Sequence, residues 1–319
     1  MQSVIVPGPQ SIHIPPFNAQ SFYQSTPSLD EPSELAVTIG GPHGHIGWEY
    51  IRTLVYRFLE TRAHARANTL NVDWRHTPAD REGRRGRTVL KALFFALGRP
   101  AVIENNPTGP LSVPHALGSF RRFSIAVPEA VADLGWYDFD GQPSQQDDSV
   151  DLRRASRLEE LVWSGDFLVL TGKFINLPYH QLSSLSVTGC VMTVQDAVSL
   201  LHSCPNVRIV ELGTIDDAAA RERNGRSMVR PSRMERVMFS ELSLLMIESG
   251  EPIKGLLDRL AWRSLEELAL VLQGNGTKGA AACLIHLNGV DSLELTGNFA
   301  KEELKKIARR YPSLMYNPS

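Results

Sequence analysis

Residues 290–298 read VDSLELTGN, and the same spacing recurs in LEELVWSGD (158–166) and LSSLSVTGC (182–190). Each stretch has an apolar residue, two variable positions, a leucine, a variable position, an apolar residue, a variable position and a glycine. VRIVELG from 207, MERVMFS from 234 and LEELALV from 265 keep the first half of this frame. The steps between frames, 24, 25, 27, 31 and 25 residues, lie in or near the range of leucine-rich repeats, about 20–29 residues.

The segments between the frames carry helical signals. TVQDAVSLLHSCPNV (193–207) offers Thr193 as an N-cap and places Pro205 after its last turn. AKEELKKIARRYPSL (300–314) has Leu304 and Ile307 at helical spacing and basic residues in its last turn. A strand and a helix in each repeat predict an α/β fold, a leucine-rich-repeat-like solenoid in which a curved parallel sheet carries outer helices.

Composition divides the chain into three predicted regions. Residues 1–36 place prolines among Ser and Gln and predict a disordered leader. Residues 37–150 predict strand–helix units that begin the solenoid, with strands in ELAVTIGG (34–41), TLNVDW (69–74) and FRRFSIAVP (120–128) and helices over 48–65 and 88–98. Residues 151–319 form the predicted leucine-rich-repeat-like domain.

Charge and cysteine usage narrow the class of protein. The 319 residues carry a formal net charge of −2, whereas a surface built for nucleic acid or anionic lipid needs an excess of Lys and Arg. Cys190, Cys204 and Cys283 are too scattered for a disulfide framework, and no apolar run approaches a membrane span of about 18–20 residues. We expect a cytoplasmic or nuclear protein with no membrane partner.

One stretch suggests an alternative function. LVLQGNGTKGAAACLIHL (270–287) contains G-x-G-x-x-G at Gly274, Gly276 and Gly279, with Glu294 placed as a ribose ligand, which is typical of a nucleotide-binding oxidoreductase. However, LQGN (272–275) matches LTGN (295–298) in the next repeat. We favour a turn after the inner strand, in which the Asn275 side chain satisfies freed backbone groups.

Catalytic and metal-binding patterns are not found in the sequence. His43 and His45, in GGPHGHIG (40–47), have no third ligand nearby. No G-x-S-x-G motif is present. We therefore expect a non-enzymatic protein that needs no cofactor and no metal.

Two arginine clusters lie between the apolar segments. RERNGRSMVRPSRMER (221–236) has six Arg and two Glu, and REGRRGR (81–87) has four Arg and one Glu. We favour solvated loops, with a basic patch at the rim of the solenoid formed by Arg221, Arg223, Arg226, Arg230 and Arg233. The alternative is a nuclear or RNA-associated regulatory protein, although neither cluster has the interleaved aromatics that stack on bases.

The exposed strand positions are the candidate binding residues. In a leucine-rich-repeat-like solenoid, the variable positions of the strands face the concave side, where partners bind. Four carboxylates and one Arg make this face mildly acidic, so we expect it to bind a folded protein partner or a basic peptide. The predicted partner-binding residues are Glu160, Ser184, Ser186, Glu211, Arg236, Met238, Glu267 and Glu294.

Residues 177–212, LPYHQLSSLSVTGCVMTVQDAVSLLHSCPNVRIVEL, resemble the leucine-rich-repeat region of basidiomycete-type fungal F-box-like proteins, in the LP-x-x-QL start and the CPN after the helix. RTLVYRFLETRAHARANTLNVDWR (52–75) and FRRFSIAVP (120–128) are similar to segments of the same region. The resemblance implies a repeat face that holds a substrate, beside an F-box that docks a cullin-type ubiquitin ligase. Residues 1–36 lack the Leu-Pro-x-Glu-Ile/Leu start of an F-box, so only the substrate-recognition role is expected here.

Overall fold

A computed structural model of the chain describes residues 11–13, 34–39, 69–74, 97, 101–103, 111–113, 116–126, 150–165, 175–224 and 236–319. The chain divides into two compact units. The first comprises residues 1–158 and 172–178, and the second residues 159–171 and 179–319. Residues 151–158, which we expected in the repeat domain, therefore belong to the first unit.

The first unit contains a parallel sheet in the strand order β1-β2-β3-β6. These strands are β1 (Ser11–His13), β2 (Glu34–Ile39), β3 (Thr69–Trp74) and β6 (Arg122–Ala126). The strands expected in ELAVTIGG, TLNVDW and FRRFSIAVP are thus present. β1 and the start of β2 fall inside the segment expected to be a disordered leader, where β1 pairs with β2.

The core of the first unit comes from alternate residues of neighbouring strands. Leu70 and Val72 of β3 lie opposite Phe123 and Ile125 of β6, and all four are buried. Two further pairs are β4 (Ala101–Ile103) with β5 (Leu111–Val113), which is antiparallel, and β7 (Val150–Asp151) with β9 (Ile175–Asn176), which is parallel. A 3-10 helix spans Ala116–Ser119. The helices expected over 48–65 and 88–98 lie outside the described residues, except for the helical residue Leu97.

The second unit is built on a larger parallel sheet with the strand order β8-β10-β11-β13-β15-β16-β17. The strands are β8 (Glu160–Ser164), β10 (Ser184–Met192), β11 (Ile209–Ile215), β13 (Leu244–Ser249), β15 (Leu265–Leu272), β16 (Val290–Gly297) and β17 (Met315–Pro318). Each neighbouring pair is parallel. A separate parallel pair joins β12 (Val237–Phe239) to β14 (Leu260–Trp262).

Helices occupy the connections between these strands. They are α1 (Val194–Ser203), α2 (Asp217–Asn224), α3 (Lys254–Leu257), α4 (Ala280–His286) and α5 (Lys301–Arg310), with 3-10 turns at Tyr179–Gln181 and Gly274–Thr277. Thr193 caps α1 as expected, because its hydroxyl accepts from the Asp196 amide and the Asp196 carboxylate accepts from the Thr193 amide. This capping box provides an acceptor for both backbone amides at the start of the helix. The described residues therefore form an α/β fold dominated by parallel sheet.

The strand register confirms five of the six predicted repeat frames and corrects one. Leu161, Leu185, Val210, Leu245, Leu268 and Leu293 form a continuous row, and each is buried. The frame expected from residue 234 is wrong, because its strand β12 pairs with β14 outside this sheet. The frame that enters the row is LSLLMIES (242–249).

A recurring hydrogen bond supports the corrected frame. The hydroxyl of Ser183 donates to the carbonyl of Glu159 at 3.1 Å, and the hydroxyl of Ser243 donates to the carbonyl of Arg208 at 3.2 Å. Each serine is the second residue of its frame and bonds to the second residue of the preceding frame. The corrected frame thus repeats the backbone geometry of the others.

Candidate interaction face

Alternate residues of the second unit's strands point away from the buried leucine row, and all those in the rows below except Ser186 are at least partly exposed. Because side chains alternate across a strand, parallel strands in register place these residues in rows. The first row is Glu160, Ser184, Ile209, Leu244, Glu267 and Ser292. The second is Val162, Ser186, Glu211, Met246, Ala269, Glu294 and Met315, and the third is Val191, Thr214, Glu248, Val271, Thr296 and Asn317. We call these three rows the candidate face.

Six of the eight residues predicted to bind a partner lie on the candidate face. Glu160, Ser184 and Glu267 share the first row, whereas Ser186, Glu211 and Glu294 share the second. Five of the six are partly exposed. Ser186 is only 8% exposed, so its side chain has little surface to offer a partner.

Arg236 and Met238 do not lie on the candidate face, and this corrects their expected position. Met238 belongs to β12, which pairs with β14, and Arg236 immediately precedes that strand. Met238 is 66% exposed. Leu244, Met246 and Glu248 of β13 occupy the positions expected for residues of the 234 frame.

The replacement makes the candidate face more acidic than expected. The face carries five glutamates, Glu160, Glu211, Glu248, Glu267 and Glu294, and its three rows contain no Lys or Arg. Sequence reasoning missed Glu248, although the alternation in LSLLMIES (242–249) could have revealed it. A face of one charge sign attracts partners of the other sign.

Hydrogen bonding differs among the glutamates of this face. Glu248 accepts a hydrogen bond from the Gln273 amide at 3.2 Å, and Glu294 accepts one from the Asn317 amide at 3.1 Å. Each of these two carboxylates keeps further acceptor positions, because an ionised carboxylate has about four. The carboxylates of Glu248 and Glu294 can therefore still meet a cationic partner.

The predicted basic patch is only partly covered by the structure. Arg221 and Arg223 lie in α2. Arg226, Arg230 and Arg233 lie outside the described residues, as does the cluster over 81–87. The position of this patch relative to the candidate face stays a prediction.

The glycine-rich loop has a local backbone reason for each of its three glycines. Gly274 and Gly279 have φ of 52° and 72°, in the left-handed region that favours glycine. A Cβ at Gly276 would lie 2.3 Å from the carbonyl oxygen of Ser249. The carbonyl of Gly274 accepts a hydrogen bond from the Thr277 hydroxyl at 3.3 Å. The Asn275 side chain, which we expected to bond to the backbone of this turn, is not its partner. The spacing thus follows from the path of the chain after β15.

Burial disfavours the thiolate form of two cysteines in the second unit, Cys204 and Cys283. Burial raises the pKa of Cys204 to about 12. For Cys283, burial and then the Asp258 carboxylate raise the pKa, against a smaller opposing effect of Lys254. A raised pKa disfavours the thiolate, which is the nucleophilic form.

Two further properties bear on the class of protein. In the part of the chain that the structure describes, no three His, Cys, Asp or Glu side chains group closely enough to bind a metal ion. No helix among these residues has the length and apolar character needed to cross a bilayer. His43 and His45 lie outside the described residues.

Comparison with known proteins adds no family assignment. The sequence matches no protein-family model and no curated protein sequence. The resemblance of residues 177–212 to the F-box-like proteins therefore stays a prediction. The candidate face itself is the basis for a function.

Proposed function

We propose that the repeats form a leucine-rich-repeat-like solenoid and that the protein is a non-enzymatic protein-interaction scaffold. The observation that carries this proposal is the candidate face, where seven hydrogen-bonded parallel strands present partly exposed acidic and apolar side chains. Parallel sheets usually have both faces covered. A sheet face that stays exposed and contains Ile209, Leu244 and Met246 is suited to covering by a partner.

The chain's resemblance to F-box-like proteins supports a more specific role. On that basis we propose that the candidate face recognises a protein substrate, as in the substrate-recognition part of a ubiquitin ligase adaptor. The proposed location is the cytoplasm or nucleus.

Charge reversal on the candidate face tests the proposal. The triple variant Glu160→Lys, Glu211→Lys, Glu294→Lys changes the charge of the face from −5 to +1. We expect about a tenfold loss of partner recovery when the tagged full-length protein is purified from its own cells and its partners are identified by mass spectrometry. Three ion pairs lost at about 0.5 kcal/mol each sum to about 1.5 kcal/mol.

The matched control changes three exposed glutamates that lie off the face, Glu159→Lys, Glu266→Lys and Glu302→Lys. This control should retain the partners. Unchanged recovery by the face variant, with a circular dichroism spectrum like that of the parent, would refute the role of the face. Cullin-ligase subunits recovered with both proteins would support an adaptor, whereas their absence would leave a stand-alone binding module.

A further inference from the structure

The candidate face carries a diagonal apolar stripe across its three central strands. Ile209 of β11 lies beside Leu244 of β13 in the first row, and Met246 of β13 lies beside Ala269 of β15 in the second. Val271 extends the stripe into the third row. All five are at least partly exposed, Ile209 to 40%. The stripe crosses the strands obliquely, because each strand contributes residues one row further along.

Two glutamates flank the stripe on each side. Glu211 and Glu248 lie on one side, in the second row of β11 and the third row of β13. Glu267 and Glu294 lie on the other side, in the first row of β15 and the second row of β16. The register therefore places an apolar path between two acidic borders.

The spacings of the strands set the size of this path. With strands about 4.8 Å apart and residues about 3.3 Å apart along a strand, Ile209 and Val271 are about 16 Å apart. By the same spacing, the Cα atoms of Glu211 and Glu267 are about 12 Å apart, as are those of Glu248 and Glu294. An α-helix with its side chains is about 10–12 Å wide, and about 11 residues cover 16 Å.

We propose that this path binds a basic amphipathic α-helix of about three turns, an inference that rests on the proposed function of the candidate face. The apolar side of the helix, with residues spaced i, i+4, i+7, covers the stripe. Lys or Arg on both flanks of the helix meets the two glutamate borders, and these residues can do so because their long side chains reach past the helix edge. Charge complementarity therefore specifies a cationic helix with one apolar side.

Other occupants fit the path less well. β11, β13 and β15 are each paired on both edges, so their backbone groups are not available for strand addition by an extended peptide. Nucleic acid carries the same sign of charge as the glutamates, and binding to it requires Lys and Arg. A helix satisfies its own backbone and uses only its side chains, as this face requires.

A designed peptide provides a direct probe. The probe is a fluorescein-labelled, acetylated and amidated 16-residue peptide with Leu at i, i+4, i+7 and i+11 and Lys or Arg on both flanks of that stripe. Binding to the full-length protein is measured by fluorescence anisotropy. One control peptide has the same composition with the Leu residues scattered around the helix, and a second has Glu in place of the basic residues. We expect both controls to bind at least about tenfold more weakly, because each loses one of the two contacts.

Protein variants locate the binding site. Met246→Asp should weaken peptide binding at least about tenfold, since it places a charge in the centre of the apolar contact. The matched control is Met238→Asp, which makes the same change at an exposed methionine outside the face and should leave binding unchanged. The pair Glu211→Lys, Glu267→Lys should weaken binding about tenfold through both borders, whereas Glu266→Lys should not.

The outcomes separate this inference from the proposed function. Peptide binding that Met246→Asp leaves unchanged, or that the scattered peptide reproduces, would overturn the helix inference. If the charge-reversal triple variant loses its natural partners but the designed peptide does not bind, the inference of a bound helix is overturned and the proposed function still stands. Thermal melting of each variant establishes that the fold is retained, and a rise in peptide helicity on binding, measured by circular dichroism, would support the inference independently.

Discussion

Shortening Leu268 to alanine tests whether the buried row is the core of the second unit. Leu268 lies at the centre of β15, between Leu245 and Leu293 of the neighbouring strands, and all three are fully buried. Hydrogen-bonded strands on both sides prevent these neighbours from collapsing into the space left by the missing atoms. The substitution therefore creates a cavity as well as removing apolar contacts.

The expected cost follows from this confinement. Leucine-to-alanine changes in cores cost about 2–5 kcal/mol, with the larger values where the site does not relax. We expect about 3–4 kcal/mol for Leu268→Ala. With a urea m-value of about 2 kcal/mol per molar, the unfolding midpoint should fall by about 1.5–2 M.

Urea denaturation followed by circular dichroism measures this change. The control is Glu267→Ala, one residue earlier on the exposed side of the same strand, for which we expect a change within about 0.5 kcal/mol. A cost for Leu268→Ala below about 1 kcal/mol would refute the placement of the row in the core. A larger cost at Glu267 than at Leu268 would show that the register is shifted by one residue, because such a shift exchanges the two faces of a strand.

Two further predictions concern the loop after β15 and the stability in alkali. Gly276→Ala should lower the free energy of unfolding, measured by urea denaturation, by about 1–3 kcal/mol, because its Cβ would overlap the Ser249 carbonyl. The control is Gly255→Ala, whose Cβ would lie in open space. Equal effects of the two substitutions would contradict the contact at Gly276. Burial raises the pKa of the Cys204 thiol from 9.0 in the unfolded chain to about 12 in the folded chain. The contribution to stability is complete below pH 9.0 and is lost progressively as the pH rises towards 12, because the unfolded state releases the proton first. With Cys204→Ala, the free energy of unfolding should therefore fall less steeply above pH 9, by about 1.4 kcal/mol per pH unit. If the free energy of unfolding of the variant depends on pH between 8 and 11 as it does in the parent, the thiol ionises in the folded state.

Short-range sequence patterns were sufficient to predict those features whose signals lie within a few residues of one another. Thr193 and Asp196 mark the start of α1 through a hydrogen bond that needs only neighbouring residues. The repeat frame places Trp163 at the apolar position before the glycine in LEELVWSGD (158–166), and Trp163 is fully buried. Such features depend on residues a few positions apart, so the chain carries them wherever the segment lies.

The candidate site was predictable only where the frame was right. Glu160, Glu211 and Glu294 follow from the alternation within frames that do enter the sheet. Arg236 and Met238 followed from the same rule applied to β12, whose Val237 and Phe239 are also buried. Alternation shows that one side of a strand is covered, but it does not show which strand is its neighbour.

The sequence by itself therefore determined the α/β class, the repeat spacing and the apolar residues that fill the core, because these depend on short-range periodicity and on burial. Only the tertiary structure decided that Met246 rather than Met238 lies between Glu211 and Ala269 on the face. Pairing between β11 and β13 joins residues about 35 positions apart, and many registers satisfy the same local pattern. The diagonal stripe and its acidic borders arise only when that long-range register is established.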